Sequence, residues 1–198
     1  QAAALAESRF GAGIGLENLF LVDMEPVVSA GLVLNEAVYH GGNDIAGEFG
    51  GMQMAERGPA GFGRPGSLTG FVSGLGMAEL AHLRHPARWP EAPAPYELVR
   101  AVHSGEEEAL AVVAESGEYL GKALAWLVAI LDPDLVVFGH PGDLLGDALF
   151  NPLQTALSTN FRGRLKPLPR LAAAKLGSKL DDVAALMAVI NSFKNRTE

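Results

Sequence analysis

Cysteine is absent from the chain, which excludes disulfides and any thiolate-bound metal. No apolar run approaches the roughly eighteen residues that a membrane-spanning helix needs, and no secretory signal opens the sequence. Basic residues are in the minority. The 15 Lys and Arg stand against 23 Asp and Glu, and a net charge of −8 argues against this segment gripping nucleic acid by itself. No fixed-period repeat is visible. These absences fit a cytoplasmic protein with no membrane partner. An initiating Met is also missing, and the chain starts inside an Ala-rich helical pattern. We therefore expect a fragment that forms one domain over 1–198, with a hydrophobic content of 48% that is ample for a core.

Periodicity and breakers predict the element order. Residues 1–10 read as a short helix ended by Gly11 to Gly15. Residues 52–66 hold four glycines and two prolines and are expected to be a loop. A helix is expected over 67–84, with Ser67 or Thr69 as cap and Phe71, Leu75, Leu80 and Leu83 on its buried side. Four prolines between Pro86 and Pro95 require an irregular connection, and Tyr96 to Val102 reads as a brief helix. Ser104 is expected to cap the longest helix, over 105–131, with Glu106 to Glu108 in its first turn. Its apolar stripe is Leu110, Val113, Leu120, Leu124, Leu127, Val128 and Leu131. Leu135 to Phe138 reads as a strand buried on both faces, 144–160 as a helix, Leu171 to Ala174 as a weak strand, and 181–195 as the closing helix. This order implies an α/β fold with a mixed sheet flanked by helices.

The chain is organised around residues 20–52. Leu21 to Met24, Ala30 to Leu34 and Ala37-Val38-Tyr39 read as three strands, the last two joined at Asn35-Glu36 with hairpin spacing but no turn glycine. Gly41-Gly42-Asn43-Asp44 then breaks the sheet, and Glu48 follows as an isolated carboxylate between glycines that let the backbone approach whatever it touches.

Ala30-Gly31-Leu32-Val33-Leu34, Tyr39-His40-Gly41 and Ala46-Gly47-Glu48-Phe49-Gly50-Gly51-Met52 together resemble the ROK family of repressors, open reading frames and sugar kinases. Gln1-Ala2-Ala3-Ala4-Leu5-Ala6-Glu7 is similar to the helix after that family's catalytic Asn-Asp. The resemblance covers most of the chain and thins towards its C-terminus. It implies a ribonuclease H-like, actin-like ATPase (sugar kinase) lobe, with the N-terminal lobe and any helix-turn-helix domain lying outside these residues.

Several positions depart from that pattern. A phosphate turn like G-T-G-I-G is replaced by Glu25-Pro26-Val27-Val28-Ser29, where Pro26 removes a donor, Val27 disfavours positive φ, and Glu25 puts negative charge where phosphate would lie. Gly139-His140 keeps half of a later glycine pair, and Asp182-Val183-Ala184-Ala185-Leu186 lacks the family's Gly-Ala-Ala. The family's zinc ligands fall at Gly51, Ala60, Phe62 and Ser67, so no zinc is expected, and Phe62 is expected to fill the vacated volume. His82 and His85 stand at helical spacing, but without a nearby carboxylate they read as surface residues.

Of the sugar contacts that the resemblance implies, Glu48 is retained, while Gly51 and Thr69 replace a His and a Glu. Glu48 is read as a sugar ligand or as a structural acceptor in its turn, and Asn43 and Asp44 as further sugar ligands or as turn chemistry. The apolar surplus of the 67–84 and 105–131 helices, Trp126 included, fits a thick core or the interface of a homodimer or homo-oligomer. The reading drawn is a non-catalytic effector-sensing and oligomerisation domain of a ROK-type transcriptional regulator. It needs no cofactor and no metal, responds to a sugar or sugar phosphate, and meets DNA only through the missing helix-turn-helix. The alternatives are an ATP-dependent, glucokinase-like sugar kinase and a ligand-free dimerisation module.

Overall fold

The computed structural model describes residues 1–139, 142–161 and 168–194. Its centre is β1 (Leu19–Asp23), whose alternate side chains are apolar on both faces. β2 (Ser29–Leu34) runs antiparallel to it and turns into the two-residue β3 (Ala37–Val38). On its other edge lie β4 (Leu135–Phe138) and then β5 (Arg170–Ala173), both parallel. The strand order is β3-β2-β1-β4-β5.

Phe20, Val22, Leu32, Val136 and Phe138 face the larger core, built with α2 (Leu68–Val72), α3 (Gly74–Arg84), α4 (Pro95–His103), α5 (Glu107–Leu131) and α7 (Asp147–Phe161). The other face, Leu19, Leu21, Val33, Leu135 and Val137, packs on Ala4 of α1 (Ala2–Phe10), with α8 (Leu180–Lys194) against α1. Burying each large side chain stabilises the fold by about 1.5–3 kcal/mol relative to exposure. The short α6 (Gly142–Leu145) precedes α7. The mixed sheet flanked by helices agrees with the expected class.

Asn35 and Glu36 make the β2–β3 turn without glycine, at φ 51° and 62°. The strain is offset locally, since the Asn35 N–H donates to Asn18 Oδ1 at 3.0 Å and the Glu36 N–H to the Glu17 carbonyl at 2.9 Å.

Four expectations are corrected. The 67–84 helix is two helices, because Ser73 leaves helical geometry to cap α3 through the Gly76 N–H, as Ser67 caps α2 through Gly70. Leu83 is exposed, and Met77, Ala78 and Ala81 take the buried face instead. Ser104 does not cap α5; it ends α4, and its hydroxyl donates to the Arg100 carbonyl at 3.0 Å, leaving Glu106 at the α5 N-cap. The 144–160 helix is broken at Gly146, whose φ of 50° separates α6 from α7. Trp126 and Ile130 are 66% and 72% exposed, so they join no core among the described residues. His140 lies outside the described residues. Among the described residues no helix is long and apolar enough to cross a membrane.

Candidate functional site

The candidate site lies where β1, β2 and the Gly41–Met52 segment meet the start of α1. Gly47 is its anchor. The Ala30 N–H donates to the Gly47 carbonyl at 2.8 Å, and a Cβ on Gly47 would stand 1.8 Å from the Ala30 carbonyl oxygen. Its φ of +90° suits glycine alone. Three residues on, the Gly50 carbonyl accepts the Thr69 N–H at 2.9 Å, and Phe49 between them is buried. The backbone of Glu48 is therefore clamped from both sides, while its carboxylate is exposed to solvent.

Residue 1 marks the other wall. A Cβ on Gly31 of β2 would stand 3.1 Å from the Gln1 Cα and 3.2 Å from its N, so the backbone of residue 1 lies directly against β2. Asp23 and Glu48 both lie close to this residue. Asp23 was missed by sequence reasoning; the available signal was a carboxylate ending an otherwise buried strand. Asn43 and Asp44 are exposed in the preceding loop, where Asp44 has a φ of 56° and sits 3.3 Å from His40 Nδ1. That pairing is with a neighbour four residues back in the same loop. Thr69 is buried, and its Oγ1 accepts the Val28 N–H at 3.1 Å.

Turn 25–29 opens with a cis Glu25–Pro26 peptide. The Glu25 N–H donates to Asp23 Oδ1 at 3.2 Å, and its carboxylate accepts the Gly74 N–H at 2.9 Å.

The positions aligned with zinc ligands do not fit the ion. A side chain at Gly51 would meet open space, Ser67 is committed as a helix cap, and Phe62 is 63% exposed. Phe62 therefore does not fill the vacated volume as expected. The loop closes by hydrogen bonds instead. Glu79 accepts the N–H groups of Ala60 and Gly61 at 2.7 and 3.2 Å. Gln53 Nε2 reaches the carbonyls of Ala55 and Pro65 at 2.7 and 2.8 Å, and Arg64 that of Gly51 at 3.0 Å. The His82 ring nitrogen Nδ1 lies 2.9 Å from the Trp89 carbonyl. A separate polar cavity of about 260 Å³ opens between Arg88, Trp89, Arg100 and Ser104. Its carboxylates are already engaged, Glu97 with the Ala94 N–H and Glu106 with Arg88, each at 3.0 Å.

A sheet of order β3-β2-β1-β4-β5 with a clamped carboxylate loop at its edge defines an α/β lobe of the sugar-kinase kind. The ROK family model matches residues 1–188, and the chain belongs to that family. A glucokinase from Halalkalibacterium halodurans is 31% identical over 193 residues, covering 89% of this chain and 57% of its own length. The ROK hexokinase from Thermus thermophilus superposes with a TM-score of 0.80 at 27% identity, over 100% of this chain and 64% of that one. A ROK family transcriptional regulator, a homologue of the E. coli MLC protein, shares the fold with a TM-score of 0.78 at 22% identity, over 94% of this chain and 49% of its own. The chain thus spans less than two thirds of these proteins. The expectation that it is no enzyme is overturned, since a relative at 31% identity is named a glucokinase and a solved structure at 27% identity a hexokinase. The departures from the phosphate-turn pattern had weighed too heavily against the rest of the chain.

Proposed function

We propose that this chain is the sugar-holding part of an ATP-dependent ROK-family sugar kinase, with Glu48 accepting hydroxyl donors of a hexose. The observation that carries the reading is the clamp on Glu48. Backbone bonds at Gly47 and Gly50 fix the loop, so a carboxylate is presented to solvent at little cost in backbone entropy. A carboxylate can accept two hydroxyls at once, which suits a polyol better than a neutral side chain does. The relatives' names supply the reaction class, and the resemblance puts the catalytic aspartate just before Gln1. Glu48 lies close to residue 1, so a hexose held by Glu48 would lie where such a base could reach it. Asn43 and Asp44 flank the mouth of the loop and would meet the sugar's far side.

The test is a phosphorylation assay on the full-length protein against a hexose panel. Wild type should phosphorylate one hexose class, and Glu48→Ala should raise the sugar KM by at least about tenfold, the loss of one charged hydrogen-bonding group. No turnover with any hexose, or a Glu48→Ala protein with unchanged KM, defeats the reading.

A further inference from the structure

The donor set of turn 25–29 does not fit the phosphates of a nucleotide. A phosphate cradle requires backbone N–H groups free to point at the anion. Here the Glu25 N–H is taken by Asp23 Oδ1 at 3.2 Å, Pro26 has none, and the Val28 N–H is taken by Thr69 Oγ1 at 3.1 Å. Ser29 is paired with Asp23 at the end of the β1–β2 ladder, which leaves Val27 as the one N–H of the turn with no hydrogen bond among the described residues, too few for a cradle. Glu25 goes further. Its carboxylate accepts the N–H of Gly74, first residue of the eleven-residue α3, so the positive end of that helix already holds an anion.

We propose that Glu25 is the residue that denies this turn to a nucleotide's phosphate chain, its carboxylate serving as a built-in anion on the α3 N-terminus. The inference rests on the sugar-kinase reading for its context and concerns one edge of that site. A polyphosphate at this turn faces the carboxylates of Asp23 and Glu25 with only the Val27 N–H as an unbonded backbone donor. Like charges repel even across partly solvated protein. A nucleotide must then be gripped elsewhere in the protein, and gripped weakly here.

The test is isothermal titration of the full-length protein with Mg-ADP, with the preferred hexose titrated in parallel. Glu25→Gln removes the charge while its amide oxygen still accepts the Gly74 N–H, so the fold is retained; Glu25→Met, which removes the charge without adding a donor, should show the same gain in Mg-ADP affinity. We expect Glu25→Gln to bind Mg-ADP about tenfold more tightly than wild type, with the gain shrinking as salt rises. Glu36→Gln, an equal charge change at the far hairpin, should leave the Kd at the wild-type value. A Glu25→Gln protein with the wild-type Kd overturns the proposal, whatever that Kd is. The hexose arm separates the two ideas. Loss of hexose binding and turnover in every protein counts against the sugar-kinase reading, while the Mg-ADP comparison still decides the role of Glu25.

Discussion

Glu7 accepts the backbone N–H of Leu176 at 2.8 Å, joining residues 169 positions apart in the chain. The same carboxylate accepts the Ala12 N–H at 2.7 Å, and Glu7 is fully buried. It fastens α1 to the segment that leads into α8, and α1 carries residue 1 to the candidate site. Glu7→Ala strands two donors away from water and should cost about 3 kcal/mol. Urea unfolding would measure it, and a loss below about 1 kcal/mol would show that water replaces the carboxylate.

The loop that resembles a zinc site should be indifferent to metal. Its closure rests on Glu79, Gln53 and Arg64, and none of the residues at the ligand positions is a zinc donor of useful strength. A chelator should leave the melting temperature unchanged, while Glu79→Ala should destabilise by about 2 kcal/mol through the orphaned Ala60 and Gly61 donors. A chelator-sensitive melt would sink this account.

The elements were legible where period and burial agree. β4 was read to the residue because Leu135 to Phe138 is apolar on both faces and needs no partner to be recognised. α4 and α8 were located within about two residues of their bounds, the ordinary uncertainty of helix ends. The break at Ser73 was not legible, since a serine inside an apolar helical run reads equally as a solvent-facing residue or as a new cap. Ser104 misled for the same reason. It stands two residues before Glu106, and only the backbone geometry shows that its hydroxyl closes α4 instead of opening α5. At the candidate site, Glu48 could be picked out by its glycine neighbours, but Asp23 could not. Its place beside residue 1 depends on a β1–β2 register and on α1 packing, neither of which a local pattern encodes.

Two neighbouring glycines should respond in opposite ways. Gly47→Ala drives a methyl into the Ala30 carbonyl at a φ of +90°, and should cost about 3 kcal/mol or more while displacing Glu48. Gly51 has open space around it, and Gly51→Ala should be within about 0.5 kcal/mol of wild type with unchanged sugar KM. Thermal melts and sugar kinetics on the pair would check both arms. Equal effects would mean that the loop is not clamped as described.

Tyr119 should shape the alkaline limb of stability. Its ring stacks on Phe71 with centroids 3.8 Å apart, and Arg84 pairs with Glu115 nearby through two hydrogen bonds of 2.9 and 2.6 Å. Burial pushes the Tyr119 phenol above its usual pKa of 10.0, the Glu115 charge adds to the rise, and Arg84 opposes it. The Arg84 guanidinium is itself held above its usual range, chiefly by its hydrogen bond to Glu115. Below the unfolded value both states of Tyr119 are protonated, and its contribution is fully present. As pH rises past that value the unfolded chain releases its proton first, so the folded state binds more protons and stability falls until the folded pKa is passed. Tyr119→Phe keeps the stacked ring and removes the titration. Urea unfolding at about pH 8 and about pH 10.5 should show wild type losing more stability than Tyr119→Phe over that interval. Equal losses would mean that the phenol titrates as it does in the unfolded chain, and that the Phe71 stack leaves its hydroxyl fully hydrated.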